Sequence, residues 1–359
     1  MPGGRANIPA SESEEYFGWQ DFDVKRDDVA RGTACPVRAC IAPLLQVPAG
    51  KSERPVCPVH GIRLHANTFV YWNGDGPSDK AHLRNFRIRP DLARKYVFAS
   101  TEKAEKHRLG HEMSEDALSW NVFAGLLDAG TLRDATEFLT GRKIAAQPEL
   151  YLWGERIDLA GGEPSRFEML EKVGRELERE IRHFRTEPDV ILHIPGQIVV
   201  CIEAKFGSGN TLAHESNAKA DEKPTSVEGL VKRYLDRSSE RTRKSIDREA
   251  IGSRLHGQLF RNIIFASEMA GKEDWQVVNL VSDEQWKETA PTSRSIEYSF
   301  ENPEKDVRAY LNPDHRDRFT YRTWEDLYRR VVKEDKRLKK VADYMLSKSA
   351  HYKSAFKLA

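Results

Sequence analysis

Asp189, Glu203 and Lys205 bracket the most apolar stretch of the chain, PDVILHIPGQIVVCIEAK at residues 188–205. Two acids and one amine at the ends of a buried run admit two chemistries. Charges taken out of water must be paired or bind a metal, because desolvation costs several kcal/mol per ion. The three can form a structural salt bridge. They can also hold a hard divalent cation, with the amine beside a reacting water. Mg2+ favours one or two carboxylates plus waters and a substrate phosphate, and such an ion activates water and neutralises charge in phosphoryl transfer. A neighbouring lysine would stabilise developing negative charge or lower the pKa of the attacking water.

An acid two residues before a lysine is not informative by itself. The pattern occurs at Asp23-Val-Lys25, Glu203-Ala-Lys205, Asp221-Glu-Lys223 and Glu334-Asp-Lys336, and three of these sit in polar surroundings. Only Glu203-Ala-Lys205 ends an apolar run. Residues two apart on a strand point to one face, so Glu203 and Lys205 project together. Pro195-Gly196 predicts a hairpin between strands at 189–194 and 197–205. Such a hairpin can bring Asp189 beside them.

The surrounding elements must position these groups. Ser114 reads as a helix N-cap, with Leu118, Val122 and Leu126 as the apolar stripe and Gly130 as the stop. Glu115 precedes Leu118 by three and Val122 by seven, so it shares their inward face; the alternative is an ordinary first-turn acid favoured by the helix dipole. A second helix covers 131–140 and stops near Gly141. Further on, the patterns predict a strand within 149–158, a charged helix within 165–184 and another over 226–248. An apolar helix over 254–271 carries Gln258; a strand at 275–281 and helices at 303–311 and 323–348 follow. The order argues a mixed α/β core with flanking helices.

Pro188-Asp189, a hairpin, then Glu203-Ala-Lys205, with an acid on the preceding helix and a polar residue in HGQLFRNIIFASEMA after it, resembles the PD-(D/E)XK nuclease superfamily over about residues 110–285. The resemblance implies a restriction-endonuclease-like fold, a mixed central sheet flanked by helices. It implies DNA as substrate, Mg2+ as cofactor and a restriction or defence setting. Carried over, Asp189 and Glu203 ligate Mg2+, Glu115 completes the metal shell, Lys205 positions or activates water, and Gln258 is the auxiliary polar residue. Gln258 reads equally as a satisfied helix amide. The alternatives of different function are a non-catalytic nucleic-acid-binding protein of the same fold and an RNA-processing nuclease.

Cys35-Pro-Val-Arg-Ala-Cys40 and Cys57-Pro-Val-His60 are two short ligand pairs separated by sixteen residues. Tetrahedral Zn2+ takes four N or S ligands, commonly from two such pairs. Cys-Pro-Val-His-Gly resembles the knuckle of zinc ribbons. His65 competes with His60 for the fourth place, and reduced buried thiols are the alternative to a metal. A structural Zn2+ would support a small loop-rich module with little core of its own. Cys201 reads as a small buried hydrophobe.

The 359 residues carry 57 Lys plus Arg against 56 Asp plus Glu. That balance predicts no strong non-specific pull on nucleic acid, and it permits a local basic groove. The expected organisation is a disordered tail at 1–15, a zinc-ribbon-like module at 16–85, a connecting segment at 86–109, the nuclease core at 110–290 and a helical extension at 291–359. The basic run from Lys232 to Arg248 is interleaved with acids and reads as a solvated face. No apolar run is long enough for a membrane span, and no phosphate-binding loop with Lys-Ser/Thr predicts a nucleoside triphosphate partner. The N-terminus lacks a secretory pattern, four cysteines make no disulfide framework, and the cytoplasm is the expected compartment. Cutting two strands would favour a homodimer.

Overall fold

Strand β7 (Val190–Ile194) and strand β8 (Ile198–Ala204) form the predicted hairpin, paired antiparallel from Ile194↔Ile198 to Val190↔Ile202. Gly196 in the connection takes φ +77°, a backbone state that glycine reaches without a Cβ penalty. Every residue of β8 is buried, which is why it reads as a continuous apolar run rather than an alternation. The computed structural model describes residues 32–49, 52–65, 68–71, 85–99, 109–181, 186–214, 226–283, 297–299, 301–349 and 358. The expected tail at 1–15 and the acid-lysine patterns at 23–25 and 221–223 lie outside them.

The central sheet is mixed. β11 (Asp274–Val281) lies parallel to β8, and β13 (Phe319–Thr323) lies parallel to β11. On the other side, β5 (Glu149–Leu152) pairs antiparallel with β7 and with its short hairpin partner β6 (Glu155–Arg156). The order is β13-β11-β8-β7-β5-β6. A small second sheet sets β9 (Asn210–His214) between β10 (Arg254–His256) and β12 (Glu297–Ser299). The expected mixed α/β architecture is present, with two departures. The region after residue 290, expected to be helical, supplies β12 and β13. The helix expected over 254–271 begins with β10 and turns helical only at Gly257.

The two faces of the sheet have separate cores. Val190, Leu192, Val200 and Ile202 pack with Leu118, Val122 and Leu126 of α2 (Glu115–Asp128). Their neighbours Ile191, Val199 and Cys201 pack on the opposite face with Leu259, Ile263 and Phe265 of α5 (Gly257–Ala270). Helix α2 begins as predicted, with Ser114 Oγ accepting from the Ala117 N–H. It is buried on all sides, because α1 (Pro90–Ala99) and α6 (Lys339–Ser349) add Tyr96, Val341 and Tyr344 to the same core. Helix α3 (Leu132–Thr140) ends on left-handed Gly141 as expected, and α4 (Glu168–Leu177) covers the α5 side. The charged helix expected over 226–248 is interrupted: a turn separates the helical residues 227–235 from Glu240–Ser245, which Ser239 caps.

The cysteine-containing region is more ordered than its sequence suggests. β1 (Leu45–Ala49), β2 (Ser52–Cys57), β3 (Ile62–His65) and β4 (Thr68–Tyr71) form an antiparallel meander. Pro48 and Pro55 obscured the strand patterns. Both are tolerated, since β1 is an edge strand and β2 meets β3 only through Val56 and Cys57. Cys57, Ile62, Phe69 and Tyr71 join the core of α2, so this sheet and the helix share one apolar interior. Lys348 of α6 is fully buried. Its Nζ donates to the Asn85 side chain at 3.0 Å and to the Glu112 carbonyl at 2.6 Å, and it pairs with the Glu112 carboxylate.

A Cβ added to Gly125 of α2 would run into Val341 of α6. Gly125→Val should therefore lower the unfolding free energy by about 1–3 kcal/mol, the usual cost of overpacking. Urea denaturation reads this directly, and an unchanged midpoint would refute the tight α2–α6 contact.

Candidate active site

The register of the hairpin builds the site. One step past Val190↔Ile202 puts Asp189 opposite Glu203, and Lys205 follows two residues later on the same face. Glu203 and Lys205 are 4% and 5% exposed, and Lys205 Nζ donates to Glu203 Oε1 at 2.7 Å. Asn262 of α5 donates its Nδ2 to the other oxygen, Glu203 Oε2, at 2.8 Å. The Ala204 N–H donates to Asp189 Oδ2 at 2.9 Å. Glu115, at the first position of α2, comes from the opposite layer. Its Oε1 accepts from the Phe206 N–H at 2.9 Å and from Ser208 Oγ at 2.6 Å. Asp189 and Glu115 are half-buried, so the acids reach solvent at the end of the sheet while the amine lies behind them.

Burial disfavours the charged form of Lys205, but the negative charges of Glu203, Glu115 and Asp189, in that order, outweigh it and hold its pKa above the ordinary lysine value. The ammonium form, a hydrogen-bond donor, is thereby favoured. Three carboxylates act on this one ammonium, so acids exceed bases by two. All the acidic donors are hard carboxylate oxygens, and their excess charge equals that of one divalent cation.

Asp189, Glu203, Lys205 and Glu115 are thus brought together. Gln258 is placed differently. Its Oε1 accepts from Thr211 Oγ1 of β9 at 3.3 Å, and the amide that reaches Glu203 is Asn262, one helical turn further on. Two more amides lie behind the acid. Asn279 of β11 is the register partner of Glu203 and donates to its carbonyl oxygen at 3.3 Å. Asn210 and Asn279 exchange side-chain hydrogen bonds. The polar break in WQVVNLV was the sequence signal for Asn279. The loop after Lys205 is held through Ser208. In the basic run, Arg237 pairs with Glu180, Lys244 with Glu240 and Arg248 with Asp236, as on a solvated face.

A second cluster joins the loop before β1 to the β2–β3 turn. The ligand atoms of Cys35, Cys40, Cys57 and His60 lie within 4.8 Å of one another. Cys40 Sγ and Cys57 Sγ are 3.9 Å apart, and His60 Nδ1 lies 3.4 Å from both Cys35 Sγ and Cys57 Sγ. A tetrahedral zinc ion with Zn–S of about 2.3 Å and Zn–N of about 2.0–2.1 Å spaces its ligand atoms by about 3.5–3.8 Å, so the set can accept such an ion. Gly61, at φ +58°, closes the turn with its N–H on the Cys57 carbonyl at 2.9 Å. Hydrogen bonds from Cys35 and then His60 lower the pKa of the Cys57 thiol against its burial; the thiolate is the form that binds metal. His60 completes the cluster, while the side chain of His65 lies outside the described residues. Cys201 is buried in the core on the α5 face, as expected.

The family described as restriction endonuclease associating with ARP matches residues 65–348, most of the chain, and the chain belongs to that family. No curated protein and no solved structure matches the chain. Among the described residues no helix is long and apolar enough to cross a membrane.

The Glu203–Lys205 pair predicts an asymmetric stability effect. With EDTA present, Lys205→Met should cost about 3–5 kcal/mol by leaving a buried carboxylate uncompensated. Adding Glu203→Gln should recover part of that loss. Urea denaturation of the two variants checks the order; equal stability of Lys205→Met and the unchanged protein would contradict the buried pair.

Proposed function

We propose that this member of a restriction-endonuclease family is a PD-(D/E)XK-type nuclease that hydrolyses DNA phosphodiester bonds with Mg2+, in a restriction or defence role. One observation carries the reading: carboxylates from a strand, from the residue opposite it and from a helix of the other layer converge on one buried ammonium. A purely structural salt bridge needs one acid, and the two in excess fit a divalent cation. Asp189, Glu203 and Glu115 would hold Mg2+, which supplies activation of water and charge neutralisation at the scissile phosphate.

The chain's own residues do the rest. Lys205, held as an ammonium, donates toward negative charge developing on the phosphate. Asn262 holds one oxygen of the Glu203 carboxylate and Lys205 the other. The Ala204 and Phe206 N–H groups fix Asp189 and Glu115. Preorganised donors of this kind cost no reorganisation when charge moves.

The family supports DNA as the substrate. Purified protein should nick or linearise plasmid in Mg2+, and EDTA should abolish this. Glu203→Gln and Lys205→Ala should each reduce the rate by roughly 10²–10⁴-fold, the usual contribution of a positioned acid–base or electrostatic group. DNA binding without cleavage under several divalent metals would favour the binding-protein reading. Cleavage of single-stranded RNA alone would favour the RNA-processing one.

We also propose that Zn2+ fills the Cys35–Cys40–Cys57–His60 cluster and acts structurally, since Cys35 and Cys57 share a core with α2. Elemental analysis should find one zinc per chain. Cys57→Ser should lose it and lower the thermal midpoint. Metal-free protein of unchanged stability would refute this site.

A further inference from the structure

The acids of the site sit on different elements. Glu115 belongs to α2 on one face of the sheet, and Asp189 precedes β7 within it. Trp153, 1% exposed, is bonded to the seats of both. Its backbone N–H donates to the Asp189 carbonyl at 3.3 Å. Its indole Nε1–H donates to Oδ1 of Asp116, the residue after Glu115, at 2.8 Å. Its carbonyl accepts from Arg166 Nη1 at 3.3 Å, and Arg166 Nη2 donates to Glu187, two residues before Asp189, at 2.8 Å.

The backbone at this point is unusual for its residue. Trp153 and Gly154 form the two-residue connection between β5 and β6, with φ +52° and +79°. Both are left-handed, as in a type I′ turn, where Asn, Asp and Gly predominate; a bulky residue there is an outlier. An asparagine would make the turn more easily, but its short side chain would not span to Asp116. The indole is what this position gains from an otherwise unfavourable residue. At Gly154, by contrast, a Cβ would come within 2.8 Å of Leu170 and 3.2 Å of Arg166, so glycine is required.

We propose that Trp153 is a positioning residue: by tying Asp189 to the first turn of α2 it sets the separation of Asp189 and Glu115, and thereby the affinity of the acid set for a divalent cation. The inference rests on the nuclease reading. It assigns to the β5–β6 hairpin, which carries none of the four converging charged groups, control over how tightly the site takes its metal.

Full-length protein is titrated with Mg2+ by calorimetry and, separately, by plasmid cleavage, with circular dichroism as the check on folding. Trp153→Phe keeps the ring and removes the indole N–H. It should raise the Mg2+ needed for half-saturation by roughly ten- to a hundredfold, as loss of partners behind metal ligands does. Asp116→Ala, at the accessible start of α2, should give the same shift and decides the question if Trp153→Phe does not fold. The double variant should add little to either, and Asp116→Asn, which keeps an oxygen acceptor, should stay near the unchanged protein. Folded Trp153→Phe with unchanged Mg2+ affinity, or fully additive shifts, would overturn the positioning role while leaving the nuclease reading intact. An unchanged protein that neither binds Mg2+ nor cuts would overturn both.

Discussion

One buried ammonium organises this end of the molecule. Lys205 cannot lie in the interior as an isolated charge, because the desolvation penalty is several kcal/mol. Glu203 alone would balance it. The chain instead gathers Asp189 and Glu115 as well, and like charges brought so close repel one another. The cost is offset locally: residues 203–208 supply an acid and the amine, and also the N–H groups of Ala204 and Phe206 and the hydroxyl of Ser208 that hold the other acids. A single strand end thus provides both the charges and their hydrogen-bond partners.

That arrangement depends on β8 being covered on both faces. A slip of one residue would exchange its two sets of side chains, turning Glu203 toward α2 and away from Asn262. Val200 and Ile202 are packed on one face and Val199 and Cys201 on the other, and the parallel neighbour β11 fixes Asn279 beside Glu203. The apolar run of β8 is therefore the device that aims the polar residues at its end.

The sequence displayed some of this directly. The apolar runs, Pro195-Gly196 and the acid-lysine pair are local signals, and they placed the hairpin and three of the charged groups. Ser114 did the same for Glu115, because an N-cap marks a helix start to the residue. Gln258 and Asn262 mark the limit of such reading. They share a helix face one turn apart, and which of them meets Glu203 depends on how far α5 is advanced along the sheet, a tertiary quantity. β13 was hidden for a similar reason: its partner among the described residues, β11, lies far back in the sequence. The meander at β1–β4 was masked by prolines that an edge position tolerates, and Trp153 gave no local hint of its contacts with Asp116 and Asp189.

Helix α6 closes the interior around α2 through Val341, and its Lys348 clasps Glu112, just ahead of the Ser114 cap. A ribosome delivers Asp189, Glu203 and Lys205 well before it delivers the helix that braces Glu115's support. The strand end that gathers the charges and the helix that braces the start of α2 are therefore drawn from distant parts of the chain.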